Sequence, residues 1–241
     1  MKVFVITLPD AKDRQENISS QLHSMDIPYE FIWGVNGKRM TPGEIAESYD
    51  SERAVKRLGR NLTPGEIGCA LSHRLVYEKM IKANIERAII LEDDVIVDKD
   101  FIVVMNLLMN IRINNYIVKL DSPQKQMVPW HKIRLNDKYM IEHPLSSVMF
   151  TWGYYIDLIA AETMINISKK VFLVADDWFW YKSYIKIRML NKNIIFSNDS
   201  LESEIGERSE GMEGQKFEYI SKYPLLNKSV KSIRLLVSLF H

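Results

Sequence analysis

The sequence has only one cysteine, Cys69, and almost no net charge. A single thiol excludes an internal disulfide framework and any cysteine-built zinc site, and it favours a reducing compartment. The 32 lysine and arginine residues nearly balance the 31 aspartate and glutamate residues, which leaves a net charge of +1. Because no overall positive field attracts nucleic acid, we expect no nucleic-acid partner.

Long hydrophobic runs are also missing. No segment approaches the ~20 consecutive apolar residues that a membrane-spanning helix needs. The N-terminus reaches Asp10 before any apolar run is long enough for a signal peptide. We therefore expect a cytoplasmic protein without a membrane span.

The charge is distributed unevenly along the chain. Between Lys216 and His241, five basic residues stand against one acidic residue, a net charge of +4. On a helix, the apolar residues of this segment would share one face. Two interpretations are open: the helix lies on an anionic membrane surface, or it packs against its own domain. We divide the chain into one domain at 1–215 and a basic amphipathic segment at 216–241.

Apolar strands alternate with helical patterns along the chain, which predicts an α/β fold with a mostly parallel sheet flanked by helices. Two helices are expected to start with the same Thr-Pro-Gly-Glu sequence, at 41–44 and 63–66. The predicted strands are Lys2–Leu8, Tyr29–Val35, Ala88–Leu91, Tyr116–Leu120, Met149–Ile156 and the two halves of Lys186–Phe196. The predicted helices are Asp13–Met25, Pro64–Ala83, Asp100–Ile111, Leu158–Ser168 and a shorter one within Ala175–Ser183. The stretch Ser122–His143 is predicted to be irregular, and a tail follows Gly206.

Three consecutive carboxylates, Glu92, Asp93 and Asp94, follow the apolar strand that ends at Leu91. Such carboxylates repel one another, and a divalent cation removes that cost. If the extended backbone continues, Glu92 and Asp94 face one site and Asp93 faces elsewhere. Oxygen ligands suit Mg²⁺ or Mn²⁺, which usually also bind substrate phosphates. The alternative is a solvated acidic turn.

The order and spacing of four motifs resemble glycosyltransferase family 25, the lipooligosaccharide galactosyltransferases of Gram-negative bacteria and their collagen-modifying relatives. The motifs are Val5–Leu8 with Asp13-Arg14, Asn36-Gly37, Leu62–His73 and Ile90–Val95. The resemblance implies a GT-A-like, Rossmann-type fold, a UDP-galactose donor, a Mn²⁺ or Mg²⁺ cofactor and inversion at the anomeric carbon. The opening Thr7-Leu8-Pro9-Asp10 departs from the family's usual Asn-Leu-Asp-Arg.

The resemblance also implies donor-site roles for several residues. Glu92 and Asp94 are expected to hold the metal. Arg14 is expected to bind the donor unless it pairs with Asp10 or Asp13, and His73 to support the donor site unless it is a hydrogen-bonded core residue. Lys119 is expected to reach the diphosphate unless it snorkels to solvent. The donor-binding residues are predicted to be Thr7, Leu8, Arg14, His73, Glu92, Asp93 and Lys119.

The second half of the chain is predicted to bind the acceptor. Inverting transfer needs a carboxylate that deprotonates the acceptor hydroxyl, and Asp177 is the candidate, with Asp176 as its neighbour. The alternative role for either aspartate is an N-cap. Aromatic rings can stack on sugars, so Trp152, Tyr154 and Trp178 are predicted to contact the acceptor. Their alternative place is the core.

Together these patterns predict a metal-dependent inverting glycosyltransferase that moves a hexose, with galactose favoured, from a UDP-sugar to a glycolipid or oligosaccharide acceptor. The alternative is a non-catalytic glycan-assembly or regulatory protein on the same scaffold. Since a lipid-linked acceptor is built at a membrane, we expect peripheral association with the inner face of the bacterial inner membrane.

Overall fold

The computed structural model describes residues 1–121, 127–144 and 148–198, and for 127–131 it describes the backbone alone. Within these residues, no helix combines the length and the apolar character that crossing a membrane requires. The basic segment predicted at 216–241 lies outside the described residues.

An eight-stranded sheet forms the centre of the fold. Its strands are β1 (Lys2–Thr7), β2 (Glu30–Trp33), β3 (Arg87–Glu92), β5 (Tyr116–Lys119), β6 (Met127–Arg134), β7 (Met140–Pro144), β8 (Gly153–Asp157) and β9 (Lys186–Leu190). The order is β2-β1-β3-β8-β5-β9-β7-β6. Six strands run in one direction, and β7 and β8 run against them. A separate antiparallel ribbon joins β4 (Val95–Val97) to β10 (Ile195–Ser197). The structure therefore confirms the α/β class with a mostly parallel sheet.

Helices cover both faces of the sheet. They are α1 (Lys12–Ser24), α2 (Pro42–Ser48), α3 (Ser51–Leu58), α4 (Pro64–Lys82), α5 (Phe101–Asn110), α6 (Leu158–Ile167) and the single turn α7 (Trp178–Tyr181). Helices α2 and α4 start with complete capping boxes, as the repeated Thr-Pro-Gly-Glu sequence predicts. Helix α3, which the sequence did not predict, is capped by Asp50 and ends at Gly59, whose φ of +75° suits glycine.

Two apolar layers lie on opposite faces of the sheet because successive strand residues point to opposite sides. Val3 and Val5 of β1 contribute to the layer covered by α1 and α5. Phe4 contributes to the layer covered by α4 and α6. The same alternation places Ile89 and Ile90 in different layers. Burial on both faces explains why these strands read as continuous apolar runs.

The stretch predicted to be irregular contains a β-hairpin, so that prediction was wrong. Strands β6 and β7 pair in antiparallel fashion, with Ile133 opposite Ile141. The Asn136 side chain accepts hydrogen bonds from the backbone N–H groups of Lys138 and Tyr139 and closes the turn. An Asx turn at Asn136 was the local pattern that could have predicted this hairpin.

A close backbone contact fixes the position of α4. A Cβ on Gly68 would lie 2.5 Å from the Gly37 nitrogen and from the Val35 oxygen, and a Cβ on Gly37 would lie 1.6 Å from the Pro64 oxygen. Only residues without a side chain allow the first turn of α4 to approach the turn after β2 this closely. Helix α4 consequently presents its Cys69 and His73 to the end of β3.

Candidate functional site

The candidate site lies at the edge of the sheet where β1, β3 and β5 end and the opposed strand β8 begins. Register places Glu92 beside Ile6 and Lys119 beside Tyr154. The Glu92 N–H donates to the Trp152 carbonyl at 3.0 Å. Ligands of open α/β sheets bind at this carboxyl edge, so the topology gathers the predicted residues where a ligand is expected.

The three carboxylates divide differently from the prediction. Strand β3 ends at Glu92, and Asp93 and Asp94 form a turn, so the alternation of an extended chain does not continue. Arg14 of α1 contacts both aspartates: its Nε lies 3.1 Å from Asp93 Oδ1, and its Nη2 contacts Asp94 Oδ2. The prediction that Asp93 faces away from Asp94 is therefore wrong. The alternative partner of Arg14, Asp10, instead pairs with Arg39 at 2.6 Å.

Burial and mutual repulsion control the ionisation of this cluster. Burial, followed by the charge of Glu92, raises the pKa of Asp94 to about 7, although Arg14 opposes the shift. Burial likewise raises the pKa of Asp93. Asp94 Oδ1 is buried without a hydrogen-bond partner among the described residues. A solvated acidic turn would show neither the burial nor the orphaned oxygen, so the cluster is a candidate cation site.

Glu92 is held by two other side chains. It accepts a hydrogen bond from the Thr151 hydroxyl, and its Oε1 lies 3.4 Å from His73 Nε2. Burial raises the pKa of Glu92, but the hydrogen bonds and charge of His73, with Thr151 and Lys119, outweigh burial and leave the pKa below its ordinary value. Glu92 therefore stays ionised beside Asp94.

His73 is a buried, hydrogen-bonded residue of α4, as the alternative interpretation expects. Its Nδ1 lies 2.8 Å from the Tyr154 hydroxyl, which in turn lies 2.7 Å from the Tyr77 hydroxyl. Because its other nitrogen faces Glu92, His73 also orients a predicted metal ligand. Its support of the donor remains a prediction.

Phe150 is a part of the site that the sequence did not indicate. Its φ of +65° lies in the left-handed region that a bulky residue rarely adopts. Three bonds hold it there: its N–H donates to Asp176 Oδ2 at 3.1 Å, and its carbonyl accepts from Lys119 Nζ at 2.7 Å and Trp178 Nε1 at 2.8 Å. The surrounding structure thus fixes the strained turn that directs Thr151 toward Glu92.

Lys119 lies in the core. Its Nζ is 2.5 Å from Asp121 Oδ1, and both side chains are fully buried. The snorkelling alternative is therefore wrong, and the contact with Asp121 does not agree with the predicted reach to a diphosphate. Burial raises the pKa of Asp121 to about 6, against the charge of Lys119. The sequence could have predicted this pair, because residues 119 and 121 are two apart on an extended chain and therefore point to the same side.

The predicted acceptor aromatics are mostly internal. Tyr154 is 0% exposed and Trp178 is 1% exposed, so the prediction that they face an acceptor does not agree with the structure. Trp152 is half-buried and stacks on Phe150, with ring centroids 4.2 Å apart and an interplanar angle of 8°. Among the three, Trp152 alone keeps an exposed surface.

Asp177 is the N-cap of α7, which confirms the alternative interpretation of its position. It accepts a hydrogen bond from the Trp180 N–H at 3.1 Å, and its Oδ2 lies 3.4 Å from Arg57 Nη2. Burial raises the pKa of Asp177, and Arg57 opposes that shift. A cap with a raised pKa can still take a proton, so the role of Asp177 as base stays a prediction.

Thr7 and Leu8 lie at the end of β1, next to the carboxylate turn. Thr7 is buried, and its hydroxyl hydrogen-bonds to Asp93 and lowers the pKa of that carboxyl against the effect of burial. The Leu8 carbonyl accepts from Gln15 Nε2 at 2.7 Å. Both residues support the turn, and their contact with a donor stays a prediction.

Comparison with known proteins identifies relatives of the chain. The profile of glycosyltransferase family 25 (LPS biosynthesis protein) matches residues 1–180. Procollagen galactosyltransferase 1-A of Xenopus laevis is 28% identical over 206 residues, which cover 77% of this chain and 31% of that protein. Inactive glycosyltransferase 25 family member 3 of Homo sapiens is 31% identical over 107 residues, which cover 42% of this chain and 17% of that protein. The chain thus spans about a third or less of the length of these relatives.

One solved structure belongs to a glycosyltransferase involved in the glycosylation of the major capsid of PBCV-1. It aligns over 69% of this chain and 64% of that chain, with 12% identity and a TM-score of 0.32. The sequence profile carries the assignment, because it spans 180 of the 241 residues. The chain belongs to glycosyltransferase family 25.

Proposed function

We propose that this protein transfers a hexose, galactose in the favoured case, from a UDP-sugar to a hydroxyl of a lipooligosaccharide or another surface glycan. The observation that carries the proposal is the cluster of Glu92, Asp93 and Asp94 with Arg14 at the carboxyl edge of the sheet. Its side chains are between 5% and 18% exposed. Family membership and the galactosyltransferase named among the relatives support the reaction type.

The carboxylate cluster fits a hard divalent cation. Its donor atoms are all oxygens, and the buried Asp94 Oδ1 has no hydrogen-bond partner among the described residues. Glu92 and Asp94 would hold Mn²⁺ or Mg²⁺. When bound, the cation supplies positive charge that stabilises the departing diphosphate.

The chain's own residues divide the remaining tasks. Thr151 and His73 fix the orientation of Glu92 and keep it ionised. Arg14 contacts both Asp93 and Asp94, and we assign it to pair with donor phosphate oxygens when the donor binds. Asp177 takes the proton of the acceptor hydroxyl as the acceptor oxygen bonds to the anomeric carbon. The bond from that carbon to UDP breaks with its electron pair on the diphosphate, so no acid is needed there.

The decisive experiment measures hydrolysis of a panel of nucleotide sugars by the purified full chain, with chelator, Mn²⁺ or Mg²⁺. We expect UDP-galactose to be hydrolysed only with metal. Asp94→Asn should lower the rate at least ~100-fold, the scale of losing one charge-stabilising group. Asp137→Asn is the matched control, because Asp137 is 94% exposed on the hairpin turn. Unchanged hydrolysis by Asp94→Asn would place the metal elsewhere.

A second candidate function is a non-catalytic role in glycan assembly. The relative from Homo sapiens that is named inactive favours this alternative, since it matches 107 residues of the chain. A protein of this kind would bind the nucleotide sugar without hydrolysing any donor, whereas the enzyme would do both. Isothermal titration with UDP-galactose beside the hydrolysis assay distinguishes them.

Membrane association is the part of the proposal that depends on the sequence of 216–241. Its net charge of +4 should attract an anionic bilayer, at about 1 kcal/mol for each basic residue near the surface. We expect the full chain to co-sediment with phosphatidylglycerol vesicles at low salt and less at high salt. Deleting residues 224–241 should abolish co-sedimentation while transfer to a short soluble acceptor survives. An inactive or insoluble truncation would instead favour packing of this segment on its own domain.

A further inference from the structure

Three side chains of different chemistry meet beside the carboxylate cluster. Cys69 and His73 are four residues apart on α4 and therefore share one face of that helix. Glu92 reaches them from the end of β3. One ligand atom from each residue, a sulfur, a ring nitrogen and a carboxylate oxygen, lies within 4.8 Å of the other two.

This combination of atoms suits a softer metal than the neighbouring aspartates do. Zn²⁺ accepts cysteine sulfur, histidine nitrogen and carboxylate oxygen, and three protein ligands leave a fourth position for water. A thiolate and a carboxylate also balance the two positive charges of the ion. Mg²⁺ prefers oxygen alone and gains nothing from the thiolate. Although a single cysteine cannot build a zinc site, histidine and glutamate can complete the ligand set.

The surroundings already orient the histidine for such a site. His73 Nδ1 is engaged by the Tyr154 hydroxyl at 2.8 Å, which leaves Nε2 directed at Glu92. Metal-binding histidines characteristically use the second nitrogen for a hydrogen bond that fixes the ring. Thr151 similarly fixes Glu92 from the other side.

We propose that Cys69, His73 and Glu92 form a Zn²⁺ site that shares Glu92 with the Glu92–Asp94 pair. Zinc bound there withdraws Glu92 from a cation held by Asp94, so Zn²⁺ inhibits Mn²⁺-supported transfer. On coordination the Cys69 thiol releases its proton to solvent, and zinc affinity rises with pH. Zinc binding stands without the proposed function, whereas the inhibition rests on it.

The binding test uses Co²⁺ as a spectroscopic substitute for Zn²⁺ on the chelator-treated full chain. Because Cys69 is the only cysteine, a thiolate-to-cobalt absorption band reports this residue alone. We expect the band at one Co²⁺ per chain, its displacement by Zn²⁺, and its loss in both Cys69→Ser and Glu92→Gln. Asp94→Asn is the matched control and should keep the band, since it leaves the three ligands in place.

Zinc affinity should fall at least ~100-fold in either ligand variant, since even loss of an outer partner costs 10–100-fold. Circular dichroism confirms that each variant is folded. Absence of the band from the wild type, or its persistence in Glu92→Gln, would overturn the site. If the band behaves as expected but Zn²⁺ does not slow Mn²⁺-supported transfer, the sharing of Glu92 is wrong while the site stands. If no donor is turned over at all, the proposed function fails separately.

Discussion

The acidic side of the candidate site was easier to predict from the sequence than the aromatic side. The side formed by β3 and α1 carries Glu92, Asp93, Asp94 and Arg14. The acidic motif predicted a site at this edge, and the structure brings the four residues together there, although Asp93 was expected to face elsewhere. The side formed by β8 and α7 carries Tyr154 and Trp178, which are buried although the sequence placed them in an acceptor cleft. Burying charge is costly, so grouped carboxylates after a strand indicate a site. Aromatic rings are stable in either place, so their presence does not reveal which one they occupy.

The largest expected effect tests whether the buried Lys119–Asp121 pair beside the aromatic residues belongs to the protein core. Lys119→Met should lower the free energy of unfolding by about 3–5 kcal/mol, because it leaves Asp121 as an uncompensated buried charge. Urea denaturation measures the change. The double variant Lys119→Met/Asp121→Asn should recover part of it. Arg39→Met is the control, since the Arg39 side chain is 73% exposed and its pair with Asp10 is worth at most about 1 kcal/mol.

Trp178 gives a similar test without charge. Trp178→Ala should cost about 3–5 kcal/mol of unfolding free energy, as expected for a buried tryptophan. Trp33→Ala should change stability by no more than about 0.5 kcal/mol, because Trp33 is 52% exposed. Should Trp178→Ala remain as stable as the wild type while the KM for acceptor rises, the ring would belong to the acceptor surface after all.

Apart from helix α3, the sequence predicted the main elements of the first half of the fold. Strands β1 and β3 have continuous apolar centres, at Val3–Ile6 and Ala88–Leu91. The helices that follow Thr41 and Thr63 begin with complete capping boxes, so local signals agree with the final structure there. The second half depends on long-range contacts. Phe150 adopts a positive φ because Asp176, Lys119 and Trp178 hold it from 26 to 31 residues away. No local pattern encodes that turn, so neither Phe150 nor Thr151 could be predicted.

Asp177 has two roles. It is the N-cap of α7 in the structure, and we propose that it is the base of the reaction. Asp177→Asn should keep the N-cap of α7, since asparagine caps as well as aspartate, and change stability by less than about 1 kcal/mol. Transfer should fall at least ~100-fold because the amide cannot accept the acceptor's proton. Binding of UDP-galactose, measured by titration calorimetry, should survive. Loss of donor binding would assign Asp177 to the donor side.

The acidic side should show a pH dependence of stability. The pKa of Asp94 is about 7 in the folded protein against an ordinary value of 3.8. Between these values the folded state binds more protons than the unfolded chain, so unfolding free energy falls as pH rises. Asp94→Asn should therefore gain stability over the wild type as pH increases from about 5 to about 7, measured by urea denaturation in chelator. Asp137→Asn should show no such trend. A difference independent of pH would mean that burial and the charge of Glu92 do not raise the pKa of Asp94.

Gly37 and Gly68 both lie in motifs shared with the family, and the structure explains both glycines by packing alone. A Cβ at either position would overlap backbone atoms, so a saturation library selected for folding alone should return glycine at both. That selection needs no donor, acceptor or metal, and a chain that has lost catalysis would face it equally. These glycines are therefore required for the position of α4, the helix that carries Cys69 and His73. The carboxylates at the end of β3 are instead required for the proposed reaction.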